Sequence, residues 1–187
     1  MTAVFNRIKD IYKVYVRGDA NVSNLIKRGM VVGENLQLQG ECKIDSSHAW
    51  LISIGDNVTI APRVHILAHD ASTKKHLGYT RIGLVSIGDN VFVGADSVIL
   101  PGVQLGGGCI IGAGSVVSRD IPAGKVAAGV PARVICDVDD YVTRCRAQVG
   151  DEAIFECAYT LTGGITSEMK NEMIVKLKRS GGKGFVR

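Results

Sequence analysis

The chain has 187 residues, of which 23 are glycine and 5 % are aromatic, and its formal net charge at pH 7 is +4. This length allows one compact domain or one solenoid with appendages, and so few aromatic residues disfavour a sandwich packed around large rings. The charge is mild, and no dense stripe of lysine and arginine is interleaved with aromatic residues. The composition therefore argues against a duplex nucleic-acid binder and fits a small polyanionic partner.

The first 17 residues carry apolar side chains at helical spacing, among them Val4, Ile8 and Ile11. We expect a short helix here, and residues 1–29 are predicted to form a helix and lead-in that cover the open end of the repeats that follow. Docking of an acceptor molecule on this helix is the alternative. Because charged residues interrupt the apolar run, we expect no signal peptide and no membrane-spanning segment.

From residue 30 onward, a large aliphatic side chain recurs at every sixth position. The recurring residues are Val32, Leu38 and Ile44, then Ile54, Ile60 and Ile66, then Ile87, Val93, Ile99, Leu105, Ile111 and Val117. A period of six fits neither an α-helix nor an alternating strand, but it fits a short strand and a bend in each unit. One unit cannot bury its own aliphatic residue, so the units must wind into coils of three hexapeptides and stack. The sequence predicts an all-β solenoid, a parallel β-helix, over residues 30–135.

Two interruptions break this period. Ten residues separate Ile44 from Ile54, so the segment SSHAWL should bulge at a corner, with Trp50, the only tryptophan, packed there. Ile66 and Ile87 are 21 residues apart, so residues 70–84 must leave the coil as a loop. This loop is polar and basic, and a long excursion from a regular solenoid is usually functional.

Residues 136–187 change character and are predicted to form a helical C-terminal extension. Asp137 is placed to cap one helix, and a second helix is expected over Thr166 to Arg179. The five cysteines are odd in number and include no CxxC pair, which indicates reduced thiols and a cytoplasmic protein.

His69 is the first candidate for chemistry. It ends the last regular hexapeptide before the loop 70–84, where the wall stops repeating and a crevice can form. A histidine there can act as a general base near neutral pH. His65 is four residues away, but that spacing does not place two side chains on one face of a hexapeptide coil, and no ligand set completes a metal site. No nucleophile elbow is visible, so covalent acyl-enzyme chemistry is not supported.

Three runs resemble the hexapeptide-repeat acyltransferases and, within them, the maltose/galactoside and capsular-polysaccharide O-acetyltransferase branch. They are IGDNVTIAPRVHILAHD (54–70), IGDNVFVGADSVILPGVQLGGGCIIGAGSVVSRDIP (87–122) and AAGVPARVI (127–135). The resemblance implies a left-handed β-helix, a homotrimer with active sites between neighbouring coils, and acetyl-CoA as co-substrate. His69 then takes the place of the catalytic base, and the loop 70–84 takes the place of a loop that reaches over an adjacent subunit.

The same resemblance implies cofactor-binding residues. Ala95, Ala113 and Ser118 match positions that line the pantetheine arm, where small side chains allow close approach. Arg119 and Arg133 match basic positions near the CoA phosphates, where charge-assisted hydrogen bonds are strong. The backbone N–H of Ala95 is the expected donor to the tetrahedral oxyanion.

Three further residues are predicted on the acceptor side. Gln39 aligns best with a polar acceptor-binding position of the family. Asp45 and Asp70 are candidates to contact the acceptor or to orient His69.

We therefore expect transfer of the acetyl group of acetyl-CoA to a hydroxyl of a sugar or polysaccharide precursor, without a metal ion. The alternatives are an amino-sugar or nucleotide-sugar N-acetyltransferase, a γ-type zinc hydratase and a non-catalytic scaffold.

Overall fold

A computed structural model describes residues 20–187, and the helix predicted over residues 1–17 lies outside them. The chain divides into two compact units, one ending at Val138 and the other running from Asp139 to Arg187. None of the helices within residues 20–187 is both long and apolar enough to cross a membrane.

The described part begins with a short helix, α1 (Val22–Lys27). The side chain of Asn21 caps this helix by accepting a hydrogen bond from the backbone N–H of Asn24 at 3.0 Å. Leu25 and Met30 are buried and join the core formed by the strands that follow. The segment therefore covers part of the apolar interior.

Short strands make up most of the first unit. They are β1 (Val31–Val32), β2 (Gln37–Leu38), β3 (Lys43–Ile44), β4 (Ile52–Ile54), β5 (Thr59–Ile60), β6 (His65–Ile66), β7 (His69–Asp70), β8 (Arg81–Ile82), β9 (Val85–Ile87), β10 (Phe92–Val93), β11 (Val98–Ile99), β12 (Gln104–Leu105), β13 (Ile110–Ile111), β14 (Val116–Val117), β15 (Lys125–Gly129) and β16 (Ala132–Asp137). Strands β1, β4, β9 and β12 form a first sheet; β2, β5, β10, β13, β15 and β16 form a second; and β3, β6, β11 and β14 form a third. Between β1 and β14 the chain thus visits the three sheets in rotation, apart from β7 and β8. Each passage through all three sheets is called a circuit below.

The predicted aliphatic residues stack on one another in register. The paired positions are Val32, Ile54, Ile87 and Leu105 in the first sheet, Leu38, Ile60, Val93 and Ile111 in the second, and Ile44, Ile66, Ile99 and Val117 in the third. Nearly all of these side chains are buried, and all the ladders between circuits are parallel. The predicted period of six and the parallel sheets are confirmed, and each fully buried aliphatic contributes about 1.5–3 kcal/mol.

The corners between sheets also follow the period. After nine of the twelve stacked aliphatics, the third residue along the chain has a positive φ, as at Asn57 (54°), Asn90 (58°) and Gly108 (68°). Asparagine and glycine tolerate this left-handed conformation better than other residues, and they occupy six of these nine corners. The periodic corners therefore follow from steric preference at one position of the repeat.

The first interruption of the period folds into a tight turn after β3. A single 3₁₀ turn, Ala49–Leu51, leads into β4. Trp50 does not pack at the corner as predicted, because the residue is 57 % exposed and the adjacent Ala49 takes the buried place. The tryptophan therefore faces solvent.

The second interruption forms a hairpin. β7 and β8 pair antiparallel, with His69 opposite Ile82 and Asp70 opposite Arg81. A single helical turn, α2 (Lys74–Leu77), lies between the two strands. The hairpin begins just after β6 of the third sheet, and His69 is its first residue.

The first unit closes with an antiparallel hairpin of β15 and β16. The second strand continues to Asp137, two residues beyond the predicted end of the repeats at 135. Asp137 forms an ion pair with Lys125 of β15 and is the last residue of the strand, and the next helix begins at Val138.

The second unit has its own small core. Its elements are α3 (Val138–Ala147), β17 (Ile154–Phe155), α4 (Ser167–Arg179) and β18 (Phe185–Val186), with β17 and β18 parallel. Val149, Ala153 and Phe155 are buried, and Met173 and Leu177 of α4 pack against them. Thr166 caps α4 by accepting a hydrogen bond from the N–H of Met169 at 3.3 Å.

Candidate active site

His69 lies at the corner between the third and first sheets, three residues after the stacked Ile66. Its side chain is 36 % exposed, so the imidazole is held by the protein and still reaches solvent. Nδ1 of this imidazole is hydrogen-bonded to Oδ2 of Asp45. The two residues meet because Ile44 and Ile66 pair in neighbouring strands, so the residues that follow them share one corner.

The carboxylate of Asp45 is almost completely enclosed, with 1 % of the side chain exposed. Oδ1 accepts hydrogen bonds from the backbone N–H groups of Ser47 (3.0 Å) and His48 (3.2 Å), and Oδ2 accepts one from Ala68 (3.1 Å) in addition to that of His69. Burial alone raises the pKa of the Asp45 carboxyl, but the hydrogen bonds from His69, Ala68 and Ser47 and the charge of His69 outweigh it and hold the pKa below its ordinary value of 3.8. The group is therefore a buried carboxylate with every acceptor direction in use.

An ionised carboxylate can only accept, so Nδ1 of His69 carries the proton that it donates to Asp45. This fixes the tautomer and leaves Nε2 with a lone pair. An imidazole held in this way can act as a general base, because the buried carboxylate stabilises its protonated form. Of the two roles considered for Asp45, contact with the acceptor or orientation of His69, its enclosure and its hydrogen bond to His69 favour the second.

His48 is a part of this corner that the sequence analysis did not single out. Its ring centroid lies 5.0 Å from that of His69 on one side and 5.3 Å from that of Trp50 on the other. Nδ1 of His48 is buried and has no hydrogen-bond partner within residues 20–187. The repeat was the sequence signal that could have found His48. It pairs Ile44 with Ile66, so the residues after Ile44 lie beside those after Ile66.

One atom from each of Asp45, His48 and His69 could coordinate a metal ion, since these atoms all lie within 4.8 Å of one another. The histidine pair considered from the sequence, His65 and His69, is not the pair in this cluster. The imidazole and carboxylate donors are chemically suitable for zinc.

Asp70 lies beside the base but faces the hairpin. Its carboxylate accepts a hydrogen bond from the N–H of Ser72 at 2.9 Å, and an Arg81 nitrogen lies 3.5 Å away. The hydrogen bonds from Ser72, joined by the charges of Arg81 and His69, lower the pKa of the Asp70 carboxyl. Asp70 therefore fixes the start of the hairpin, and no contact aligns it with the imidazole of His69.

The predicted cofactor residues fall at two different corners. Ser118 and Arg119 follow β14 and are exposed at the same corner as His69, with the circuit of β11 between them. Ala95 and Ala113 follow β10 and β13 and lie at the corner between the second and third sheets.

Two other predicted residues lie away from His69. Gln39 follows β2 at the corner between the second and third sheets, where its side chain is exposed. Arg133 is exposed on β16, where its guanidinium donates to the carbonyl oxygen of Ala132 at 2.8 Å. Within one chain, the structure gathers Asp45, Asp70, Ser118 and Arg119 at the His69 corner but not Ala95, Ala113, Gln39 or Arg133.

A separate cavity of about 450 Å³ opens on the outer face of the third sheet. It is lined by Glu41, Lys43, Arg63, His65, Asp96 and Val98. Arg63 and Asp96 are bound to each other at 2.6 Å, so their charges compensate. None of the predicted site residues lines this cavity, and it is distinct from the His69 corner.

Comparisons with known proteins match the repeats that carry this corner. The family described as the hexapeptide repeat of succinyl-transferase matches residues 84–119. The galactoside O-acetyltransferase of Escherichia coli (strain K12) is 43 % identical over 97 residues, which cover 49 % of this chain and 46 % of that relative. The chain spans about half the length of the first curated relatives it matches.

Two solved structures are also similar. A maltose O-acetyltransferase from Clostridium difficile 630 is 41 % identical with a TM-score of 0.53, over 58 % of this chain and 59 % of that one. A galactoside acetyltransferase in complex with coenzyme A is 32 % identical with a TM-score of 0.50, over 65 % of this chain and 72 % of that one. The stacked hexapeptides and these relatives together place the chain in the hexapeptide-repeat acyltransferase family, in the branch of the maltose and galactoside O-acetyltransferases.

Proposed function

We propose that the protein transfers the acetyl group of acetyl-CoA to a hydroxyl of a sugar or polysaccharide precursor. The observation that carries this proposal is the contact between Asp45 and His69, which holds an imidazole with one free nitrogen at a solvent-reachable corner. The names of the galactoside and maltose relatives support the sugar hydroxyl as acceptor. The coenzyme A bound to one of them supports the donor.

The proposed reaction needs one proton to move twice. Nε2 of His69 removes the proton of the acceptor hydroxyl as its oxygen attacks the thioester carbonyl carbon of acetyl-CoA. The new C–O bond forms, the C–S bond breaks, and the proton leaves with the thiolate of CoA. Asp45 stabilises the imidazolium between these steps. Holding both substrates in one cleft supplies much of the rate by proximity, and the backbone N–H of Ala95 is our candidate donor to the oxyanion.

The predicted site residues lie at two separate corners of one chain, and this bears on how many copies are needed to form one site. His69, Ser118 and Arg119 lie at one corner of the chain, and Ala95 and Ala113 lie at another. A second copy would have to bring its Ala95 and Ala113 to the His69 corner for all five to contact one CoA molecule. We infer a homotrimer of left-handed β-helices with a site between neighbouring copies, in which Arg119 and Arg133 bind phosphates. None of the five cysteines, which all lie within the described residues, forms a disulfide, and this fits our placement of the enzyme in the cytoplasm.

The domain organisation that we propose gives catalysis to residues 30–135. The hairpin within residues 70–84 starts at His69 and carries basic side chains and an exposed Tyr79, which supports a role in covering the acceptor. Residues 136–187 remain an extension without an assigned role in the reaction.

A zinc hydratase is the second candidate, favoured by the Asp45, His48 and His69 cluster. The acetyltransferase proposal requires Nε2 of His69 to be free, and a zinc ion on that nitrogen would block it. Elemental analysis of the purified protein after dialysis separates the two, since stoichiometric zinc supports the hydratase.

Mass spectrometry of the products tests the acetyltransferase directly. The protein is incubated with acetyl-CoA and, separately, with maltose, methyl β-D-galactopyranoside and glucosamine. We expect a gain of one acetyl group as an ester on a hydroxyl, released by mild base. An amide on glucosamine, with no ester on any sugar, would instead support the N-acetyltransferase alternative.

A further inference from the structure

Several hydrogen bonds hold the turn that carries Trp50. Its backbone N–H groups at Ser47 and His48 donate to the enclosed carboxylate of Asp45, and Arg28 donates to the carbonyl oxygen of Ser46 at 3.0 Å. The N–H of Leu51 donates to the carbonyl oxygen of His48 at 3.0 Å. The turn is therefore part of the same hydrogen-bonded unit that positions the catalytic imidazole.

The backbone of Trp50 is equally constrained. It packs so closely on Gly29 that a Cβ added there would lie 2.9 Å from the Cβ of Trp50, and Gly29 has a φ of +99°. The indole nevertheless stays 57 % exposed. An exposed indole forgoes most of the free energy that its burial would contribute, so a fixed and exposed tryptophan beside a reactive group points to a ligand surface.

Three rings form a continuous series from the base outward. The His48 ring lies 5.0 Å from that of His69 at an interplanar angle of 41°, and 5.3 Å from that of Trp50 at 47°. The distance from Trp50 to His69 therefore cannot exceed the sum of those two separations. A ring stacked on the indole would therefore lie near the imidazole of His69.

We propose that Trp50 is the platform on which a ring of the acceptor sugar stacks, with His48 as the spacer between this platform and the base. This inference rests on the proposed function. A pyranose has a face of C–H groups and a rim of hydroxyls; the indole face suits the former, and a few polar groups suit the latter. The platform thus selects acceptors that have an apolar ring face and a hydroxyl within reach of His69.

Intrinsic fluorescence tests the platform without any turnover, because Trp50 is the only tryptophan of the 187 residues. The protein with CoA is titrated with maltose, methyl β-D-galactopyranoside and glucosamine. We expect a saturable change in emission with at least one sugar, and the same change in His69→Ala, which removes the base but not the platform. Emission that no sugar changes would overturn the proposal. A saturable change without any acetyl transfer would leave the platform standing and refute the proposed function.

Kinetics with the best acceptor give a second test. We expect Trp50→Ala to raise the KM for the sugar at least tenfold and to leave the KM for acetyl-CoA unchanged, while Trp50→Phe retains most of the affinity. Phe185→Ala, which removes an exposed ring of the second unit, serves as the control. An unchanged sugar KM in Trp50→Ala would contradict the platform. A smaller molecular mass of that variant by light scattering would do so too, because Trp50 would then be a contact between subunits.

Discussion

At the scale of single residues, the account depends on one buried charge. The carboxylate of Asp45 accepts four hydrogen bonds and fixes the orientation of His69, which lies 24 positions away in the chain. The sequence predicts His69 as the base from its place before the loop. It could not decide whether Asp45 contacts the acceptor or the base, because that depends on which strands are neighbours.

The lowered pKa of Asp45 predicts how stability varies with pH. Because the folded-state pKa is below the ordinary value of 3.8, the stabilisation is complete well above 3.8 and is lost as the pH falls from that value through the lower folded-state pKa. We expect Asp45→Asn to lower the free energy of unfolding by about 1–3 kcal/mol at neutral pH, and the difference from wild type to shrink below pH 3.8. Urea titrations at a series of pH values measure this. A difference independent of pH would contradict the assignment of a buried carboxylate.

Arg133 provides a residue-scale test of the cofactor site. If its guanidinium binds the 3′-phosphate, Arg133→Ala should weaken the binding of CoA by about tenfold and that of dephospho-CoA much less. Calorimetric titration with both ligands measures the two affinities. Equal weakening of the two ligands would remove Arg133 from the phosphate site.

At the scale of elements, the period of six gave the strands and corners because one steric rule repeats along the chain. Each aliphatic residue must stack and each corner must turn, so the spacing alone located β1 to β14 outside the hairpin. The interruptions could not be read in this way. The sequence placed Trp50 in a corner, whereas the smaller Ala49 fits the buried position and leaves the indole outside.

One corner offers a matched test of the stacking. A Cβ at Gly106 would overlap the backbone of Ala123 in the next circuit, with the Cα of Ala123 only 2.7 Å away. At Gly108, two residues on, φ is +68° and a Cβ would have nothing within 4 Å. We expect Gly106→Ala to destabilise the protein by about 1–3 kcal/mol. Gly108→Asn should cost less than about 1 kcal/mol, because asparagine accepts this φ at Asn57 and Asn90. Thermal unfolding of both variants measures the effects, and equal losses would contradict the close stacking of circuits.

At the scale of the whole molecule, the sequence predicted the stacked first unit far better than the second. The repeat has a period that can be counted, but residues 139–187 form a small core from side chains far apart in the chain, such as Phe155 and Leu177. The helix α4 was predictable because Thr166 caps it and its apolar residues recur at helical spacing. The parallel pairing of β17 with β18 had no sequence signal of comparable strength.

Assembly is the prediction that belongs to this scale. If the active site needs corners from two copies, the protein in solution should have a mass about three times the 19.9 kDa of one chain. Light scattering coupled to size-exclusion chromatography measures it. A fully active monomer would show that the residues at the two corners do not act on one CoA molecule.

The central claim is that His69 is the general base, and one comparison of variants tests it most directly. His69→Ala is assayed beside His65→Ala, whose imidazole lies on β6 outside the His69 corner. The account predicts that His69→Ala lowers kcat for acetyl transfer about 10²–10⁴-fold while CoA binding is unchanged, and that His65→Ala retains wild-type turnover. Turnover by His69→Ala at the wild-type rate would contradict it.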